Sequence, residues 1–92
     1  MDNRKDDNYY IKNVIENIDI IISYTKGLSY DEFVDDLKNV DSVMFRLIQM
    51  VENIIRISSE YKKMHSNINW GQIIGFRNGI VHNYNKTDYS VV

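Results

Sequence analysis

Apolar residues recur along this chain at spacings of three and four, which place them on one face of an α-helix. The first such face lies within residues 11–25 and consists of Ile11, Val14, Ile15, Ile18, Ile21, Ile22 and Thr25. No segment alternates apolar and polar residues with the period of two that a half-buried strand shows. The pattern therefore predicts an all-α protein.

Residue types typical of helix ends divide this pattern into segments. Gly27 follows the first segment as a helix-terminating glycine would. Ser29 and Glu32 have the Ser-x-x-Glu spacing of a capping box, which predicts the start of a short helix. Asn69 and Gln72 have the spacing of a second capping box, so we expect a final helix to begin directly after Asn69.

The longest apolar stripe lies between these two caps and is followed by a polar loop at residues 65–68. It consists of Val40, Val43, Met44, Leu47, Met50, Val51, Ile54, Ile55 and Ile57. A stripe this broad predicts a helix that is buried on two sides, by its own bundle and by a second subunit. We therefore predict that residues 1–92 form one domain, an antiparallel helical bundle of three long helices and one short helix.

Composition excludes several classes of protein. The absence of cysteine rules out a disulfide framework, a thiolate zinc site and a cysteine nucleophile. The first residues are rich in charge and lack the apolar core of a signal peptide. The most isoleucine-rich stretch, Ile18–Ile22, contains Asp19 and is too short to span a bilayer. We expect a cytoplasmic protein with no membrane association.

Charge is unevenly distributed along the chain. Residues 1–40 contain five Lys/Arg and nine Asp/Glu, a balance of −4. Residues 41–92 contain six Lys/Arg and four Asp/Glu, a balance of +2. A phosphate-bearing partner is therefore expected to approach the second half of the chain.

Residues 70–84 carry most of the candidate chemistry. On a helix that turns about 100° per residue, one side holds Trp70, Ile73, Ile74, Phe76, Ile80 and Val81. The opposite side, the glycine face, holds Gly71, Gly75 and Gly79 together with Asn78 and His82. A glycine inside a helix costs about 1 kcal/mol relative to alanine. The glycine face therefore predicts that another backbone or a ligand comes very close.

Arg77 and Tyr84 project from the apolar side, where a guanidinium must be paired or line a cleft. Arg77 has the fork geometry that suits a phosphate, and His82 titrates near neutrality, which suits acid–base work on a ribose 2′-hydroxyl. Five residues apart, the two side chains lie about 140° apart on a straight helix. They can cooperate if the helix loosens at Gly79, or if two subunits place Arg77 of one beside His82 of the other.

Both residues also have structural interpretations. An arginine beside apolar residues is commonly a salt-bridged or snorkelling side chain, and a histidine near a helix end is commonly a cap or a surface residue. A metal site is not indicated, because neither His65 nor His82 has a suitably spaced carboxylate or second histidine.

The segment from Trp70 to Tyr84 resembles the signature of the HepT-like family within the HEPN superfamily. The shared pattern is Trp-x-x-Ile-x-Gly-Phe followed by Arg-Asn-x-x-Val-His-x-Tyr. Upstream, Tyr-Thr-Lys-Gly at residues 24–27 is similar to the family's Tyr-x-x-Gly element, and Asp-Glu-Phe at residues 31–33 is similar to its short acidic segment. The resemblance extends from residue 8 to residue 89.

This resemblance implies a HEPN-like helical bundle and a ribonuclease toxin that uses neither a metal nor another cofactor. Arg77 and His82 would be the catalytic pair acting on RNA, with Asn78 orienting the phosphate or the imidazole. Attack by the ribose 2′-oxygen would leave a cyclic phosphate and a 5′-hydroxyl. Glu52, on the long helix, would be the acidic neighbour of Arg77 in either a catalytic or a structural role.

The resemblance also implies partners and regulation. HepT-like proteins form homodimers with the motif at the interface, and Tyr84 matches the tyrosine that an MntA-like nucleotidyltransferase antitoxin adenylylates to silence the toxin. Family members generally continue into a final C-terminal helix, of which this chain would hold only the start, at residues 88–92. One alternative stays open: a non-catalytic, nucleotide-binding partner subunit of a minimal nucleotidyltransferase.

Overall fold

The structure, a computed structural model, describes residues 6–82, with side chains for residues 6–80. Within this part of the chain there are five helices and no strand. They are α1 (Asp7–Thr25), α2 (Tyr30–Asp35), α3 (Leu37–Arg56), α4 (Ser59–Met64) and α5 (Trp70–His82). The all-α prediction is confirmed.

Local contacts set where the first two helices begin and end. Asp6 accepts a hydrogen bond from the backbone N–H of Tyr9 (3.0 Å) and caps α1. Gly27 adopts a φ of +79°, a left-handed conformation that glycine tolerates and that terminates α1. Ser29 and Glu32 form the predicted capping box, with reciprocal hydrogen bonds of 3.1 and 2.9 Å. These boundaries follow from residues adjacent in the sequence.

Helix α4 is a second short helix that the apolar pattern did not indicate. Ile57 is extended and ends α3. The Ser58 side chain then accepts a hydrogen bond from the backbone N–H of Tyr61 (3.1 Å) and caps α4. The position that a capping box would fill with Glu or Gln holds Tyr61 here, so no sequence signature marked this cap.

Helix α3 is the centre of the fold, since α1, α2 and α5 all pack against it. One core cluster contains Phe33, Val40, Val43, Met44 and Ile80, with Ile21 and Phe76 packed against it. The other contains Tyr10, Ile54 and Ile57, with Trp70 and Ile73 packed against it. Opposite ends of α1 and α5 contribute to the two clusters, so both helices are antiparallel to α3. The broad stripe of α3 is thus covered on two sides within one subunit.

The apolar face predicted for α1 is only partly buried. Tyr10 and Asn17 are buried, and Ile21 packs against the core. Three of the isoleucines predicted to face the core are instead 53, 41 and 56% exposed: Ile15, Ile18 and Ile22. The prediction is wrong for these residues, because two stripes one residue apart both satisfy the three-four spacing. Only the stripe that faces α3 is covered.

A hydrogen-bonded link joins the start of α1 to the start of α4. Oδ1 of Asp7 accepts from the backbone N–H of Ser58 (2.8 Å), and Oδ2 accepts from the Ser58 hydroxyl (2.6 Å). These bonds hold the pKa of the Asp7 carboxyl below its ordinary value of 3.8. Because the folded-state pKa is depressed, the link stabilises the fold above pH 3.8. This contribution is lost as the pH falls through the folded-state pKa.

We expect Asp7→Ala to lower the free energy of unfolding near neutral pH, because it removes both acceptors. The difference from wild type should shrink as the pH falls below 3.8, which urea denaturation at several pH values can measure. Asp19→Ala is the matched control, since it removes an exposed α1 carboxylate for which the described residues show no side-chain hydrogen bond. A difference that stays constant down to the lowest pH would contradict a charged link.

Candidate active site

Helix α5 carries the candidate residues and is anchored at its start. Oδ1 of Asn69 accepts from the backbone N–H of Gln72 (3.0 Å), and the two side chains are hydrogen-bonded to each other (3.0 Å). The indole N–H of Trp70 donates to the backbone carbonyls of Lys62 and His65 (3.2 Å each). These contacts fix where α5 begins and therefore where its later residues lie along α3.

The apolar side of α5 faces the core as the sequence predicts, whereas the glycine face is exposed. Ile80 is buried, and Trp70, Ile73, Ile74 and Phe76 are half-buried. The described residues of the glycine face, Gly71, Gly75, Asn78 and Gly79, are all exposed. A methyl group added to any of the three glycines would meet nothing within 4 Å. The close neighbour predicted for this face is therefore not supplied by the described part of the same chain.

Arg77 is paired with Glu52 of α3, the acidic neighbour that was predicted for it. Nη2 of Arg77 donates to Oε1 of Glu52 in a close ion pair, and Nη1 donates to Oδ1 of Asn78 (3.1 Å). The Arg77 and Glu52 side chains are 26% and 29% exposed, so the pair lies at the solvent edge of the α3–α5 contact. Nε of Arg77 is buried without a partner among the described residues.

A second arginine reaches the same carboxylate. Nη1 of Arg56 lies 3.9 Å from Oε2 of Glu52 and donates to the Glu52 backbone carbonyl (3.0 Å). Arg56 was not among the residues predicted from the sequence, although its spacing of four from Glu52 is typical of helical ion pairs. We call Glu52, Arg56 and Arg77 the arginine cluster. Two guanidinium groups and one carboxylate give it a net charge of +1.

The backbone of α5 bears on how Arg77 and His82 can cooperate. The helix continues through Gly79 to His82, so loosening at Gly79, one of the two alternatives considered above, is not observed. On a continuous helix, side chains five residues apart lie about 140° apart. An arrangement across two subunits is the alternative compatible with this backbone. The His82 side chain and all of Tyr84 lie outside the described residues, so the predictions for them remain predictions.

The described residues contain neither a candidate metal site nor a helix that could span a membrane. Their His, Asp and Glu side chains form no group of three or more that could hold a metal ion. None of the helices between residues 6 and 82 is long and apolar enough to cross a membrane.

Comparison with known proteins identifies the family. Residues 14–92 match the family described as Ribonuclease HepT-like. The chain belongs to the HepT-like family. The match spans the long helix α3, the Arg77–Glu52 pair and the whole of α5. No solved structure gives a significant match.

Several HepT-like relatives are similar to this chain over most of its length. A protein of Caldanaerobacter subterraneus subsp. tengcongensis, named a putative RNase, is 24% identical over 83 residues, or 90% of this chain and 74% of that protein. A protein of Methanocaldococcus jannaschii, also named a putative RNase, is 24% identical over 87 residues, or 94% of this chain and 79% of that protein. A Thermococcus cleftensis protein named a probable ribonuclease HepT is 25% identical over 83 residues, covering 90% and 76%.

The contact between Arg77 and Glu52 predicts how paired and single substitutions affect stability. Glu52→Leu should lower the free energy of unfolding by about 1–2 kcal/mol, between the costs of breaking an exposed and a buried pair. Adding Arg77→Met should recover most of this loss, because no unpaired charge is then left at the contact. Urea denaturation measures both effects. A double variant less stable than Glu52→Leu would contradict the pairing.

Proposed function

We propose that this protein is a metal-independent RNA endonuclease, the toxin of a cytoplasmic toxin–antitoxin pair. The observation that carries the proposal is the setting of Arg77. Its guanidinium is oriented by Glu52 and Asn78 at the solvent edge of the α3–α5 contact, within the segment that resembles the family motif. Membership of the HepT-like family and relatives named as RNases support RNA as the substrate.

Arg77 and His82 divide the chemistry between them in this proposal. His82 removes the proton from a ribose 2′-hydroxyl, and the 2′-oxygen attacks the adjacent phosphorus. The bond from phosphorus to the 5′-oxygen breaks, and that oxygen takes up a proton from water, while the protonated His82 returns its proton to the solvent. The products are a 2′,3′-cyclic phosphate and a 5′-hydroxyl. Arg77 binds the non-bridging oxygens and stabilises the charge that develops on them. Asn78 accepts a hydrogen bond from Arg77 and so helps to orient the guanidinium.

The exposed glycine face supports a homodimer in which this site is composite. Helix α5 is continuous, and on a continuous helix positions 77 and 82 lie about 140° apart around the axis. The glycines have open space beside them within the described part of the chain, which lets a second helix approach closely. In the proposed dimer, Arg77 of one subunit and His82 of the other face the same phosphate.

The proposed regulation of the toxin rests on the resemblance of residues 77–84 to the family motif. Tyr84 is the proposed acceptor of an adenylyl group, transferred by an MntA-like nucleotidyltransferase antitoxin to silence the toxin. The antitoxin and RNA are thus the two proposed partners beside the second subunit.

Two observations favour an alternative function. Arg77 is already neutralised by Glu52, and the whole chain carries a net charge of −2. Both features disfavour tight RNA binding. They are compatible with a non-catalytic subunit that binds a nucleotide and acts as the stoichiometric partner of a minimal nucleotidyltransferase.

Single substitutions distinguish these two functions. Arg77→Ala and His82→Ala should each slow RNA cleavage by at least about 100-fold in the presence of a metal chelator. End-group analysis of the wild-type products should find cyclic phosphates and 5′-hydroxyls. Arg46→Ala and His65→Ala are matched controls with the same residue types elsewhere, and they should cleave as wild type does. A wild-type protein that binds the nucleotidyltransferase but cleaves no RNA would establish the alternative.

The composite site predicts that two inactive variants restore each other. When Arg77→Ala and His82→Ala subunits are mixed and exchanged, half of the dimers are mixed, and each has one intact site out of two. Activity should therefore return to about a quarter of the wild-type value. A mixture as inactive as its components would show that each site lies within one subunit.

A further inference from the structure

A site for an RNA phosphate needs a surplus of positive charge, and Arg77 alone does not supply it. The ion pair between Arg77 and Glu52 is neutral as a whole. The chain has a net charge of −2, so the wider field of the protein does not compensate. A phosphate that approached only Arg77 would also approach the Glu52 carboxylate. Binding of a polyanion beside Arg77 and Glu52 therefore requires a further cation nearby.

Arg56 supplies the missing charge. It lies 3.9 Å from Oε2 of Glu52, while Arg77 holds Oε1, so the two guanidinium groups flank one carboxylate. The Arg56 side chain is 57% exposed, against 26% for Arg77. An approaching phosphate therefore meets Arg56 in the more open position and the more deeply set Arg77 beside it.

Arg56 is also free to bind a ligand. Its ion pair with Glu52 is exposed and long, and pairs of this kind contribute little stability. Within the described residues, its side chain makes one hydrogen bond, from Nη1 to the Glu52 backbone carbonyl. Because a guanidinium has five N–H donors in a planar fork, most of its donors remain for phosphate oxygens.

We propose that Arg56 binds the RNA phosphate next to the one that Arg77 engages, and that Glu52 sets the net charge of this two-arginine site. This inference rests on the proposed function, since it takes RNA as the substrate. Arg56 contributes to substrate binding and not to the chemical step. Its loss should therefore raise KM and leave kcat unchanged.

A charge cycle on the arginine cluster tests this proposal. The probe is a 2′-O-methylated single-stranded RNA, which has no free 2′-hydroxyl and so stays intact while its binding is measured over a range of salt. Arg56→Gln brings the cluster from +1 to 0. It should weaken binding about fivefold at about 0.1 M salt and reduce the slope of log K against log salt by about 0.7.

The other variants complete the cycle. Glu52→Gln brings the cluster to +2 and should tighten binding. Arg56→Gln combined with Glu52→Gln returns it to +1 and should bind more tightly than Arg56→Gln alone, but less tightly than wild type, because it lacks the Arg56 guanidinium. Arg56→Lys keeps the charge and should keep the salt slope. Arg46→Gln is the matched control, because it removes one arginine from the same helix at a site where the guanidinium lies over the Phe45 ring. It should leave the slope unchanged.

A structural role for Arg56, at the last turn of α3, would produce a different pattern. A cation there stabilises the helix end, so its loss would lower the thermal unfolding temperature, and Glu52→Gln would not restore RNA binding. A double variant that binds as weakly as Arg56→Gln would overturn the proposed role of Glu52.

With unmodified RNA, we expect Arg56→Gln to raise KM about fivefold and to change kcat by less than about twofold.

The failure of this inference is distinguishable from the failure of the proposed function. If the wild type binds and cleaves RNA but Arg56→Gln behaves as Arg46→Gln does, the role of Arg56 is overturned and the ribonuclease assignment stands. If the wild type neither binds the methylated RNA nor cleaves unmodified RNA, both are overturned.

Discussion

The ion pair between Arg77 and Glu52 joins the two helices that carry the candidate site. Apart from this pair, α5 meets the core through apolar side chains such as Phe76 and Ile80, whose contacts have no directional preference. A charge in a partly buried position is costly unless it is paired, so the pair orients the guanidinium, while the hydrogen bonds of Asn69 and Trp70 fix where α5 begins. The glycine face lies opposite these apolar side chains and is exposed.

The same pair that orients Arg77 removes the charge that a phosphate would need. Orientation favours catalysis because a guanidinium that is already in place need not be reorganised during the reaction. Attraction of a polyanion requires a second cation nearby. In the arginine cluster these two requirements fall on different residues: Arg77 is the more buried and more tightly held, and Arg56 is the more exposed and more weakly held.

Helix boundaries that depend on neighbouring residues could be predicted from the sequence. Which helices and side chains contact each other in the fold could not be predicted from local residues alone. The Ser29–Glu32 capping box and the turn at Gly27 depend only on nearby residues, and both are observed. Exposure of Ile15 depends on which helix packs against α1, which periodicity cannot specify. Glu52 is 25 residues from Arg77, and the family resemblance predicted this contact where spacing could not. Arg56 was missed because its spacing to Glu52 occurs on many helices.

The glycines of α5 supply the strongest physical argument for a partner. Three glycines within one helix cost about 3 kcal/mol relative to alanines, which is a large share of the roughly 5–15 kcal/mol that stabilises a small domain. Nothing in the described part of the chain lies close enough to require them, since each has open space where a side chain would go. In the proposed dimer, a helix of the second subunit would occupy that space and offset the loss. The glycine face would then lower the stability of the single subunit and raise that of the proposed dimer.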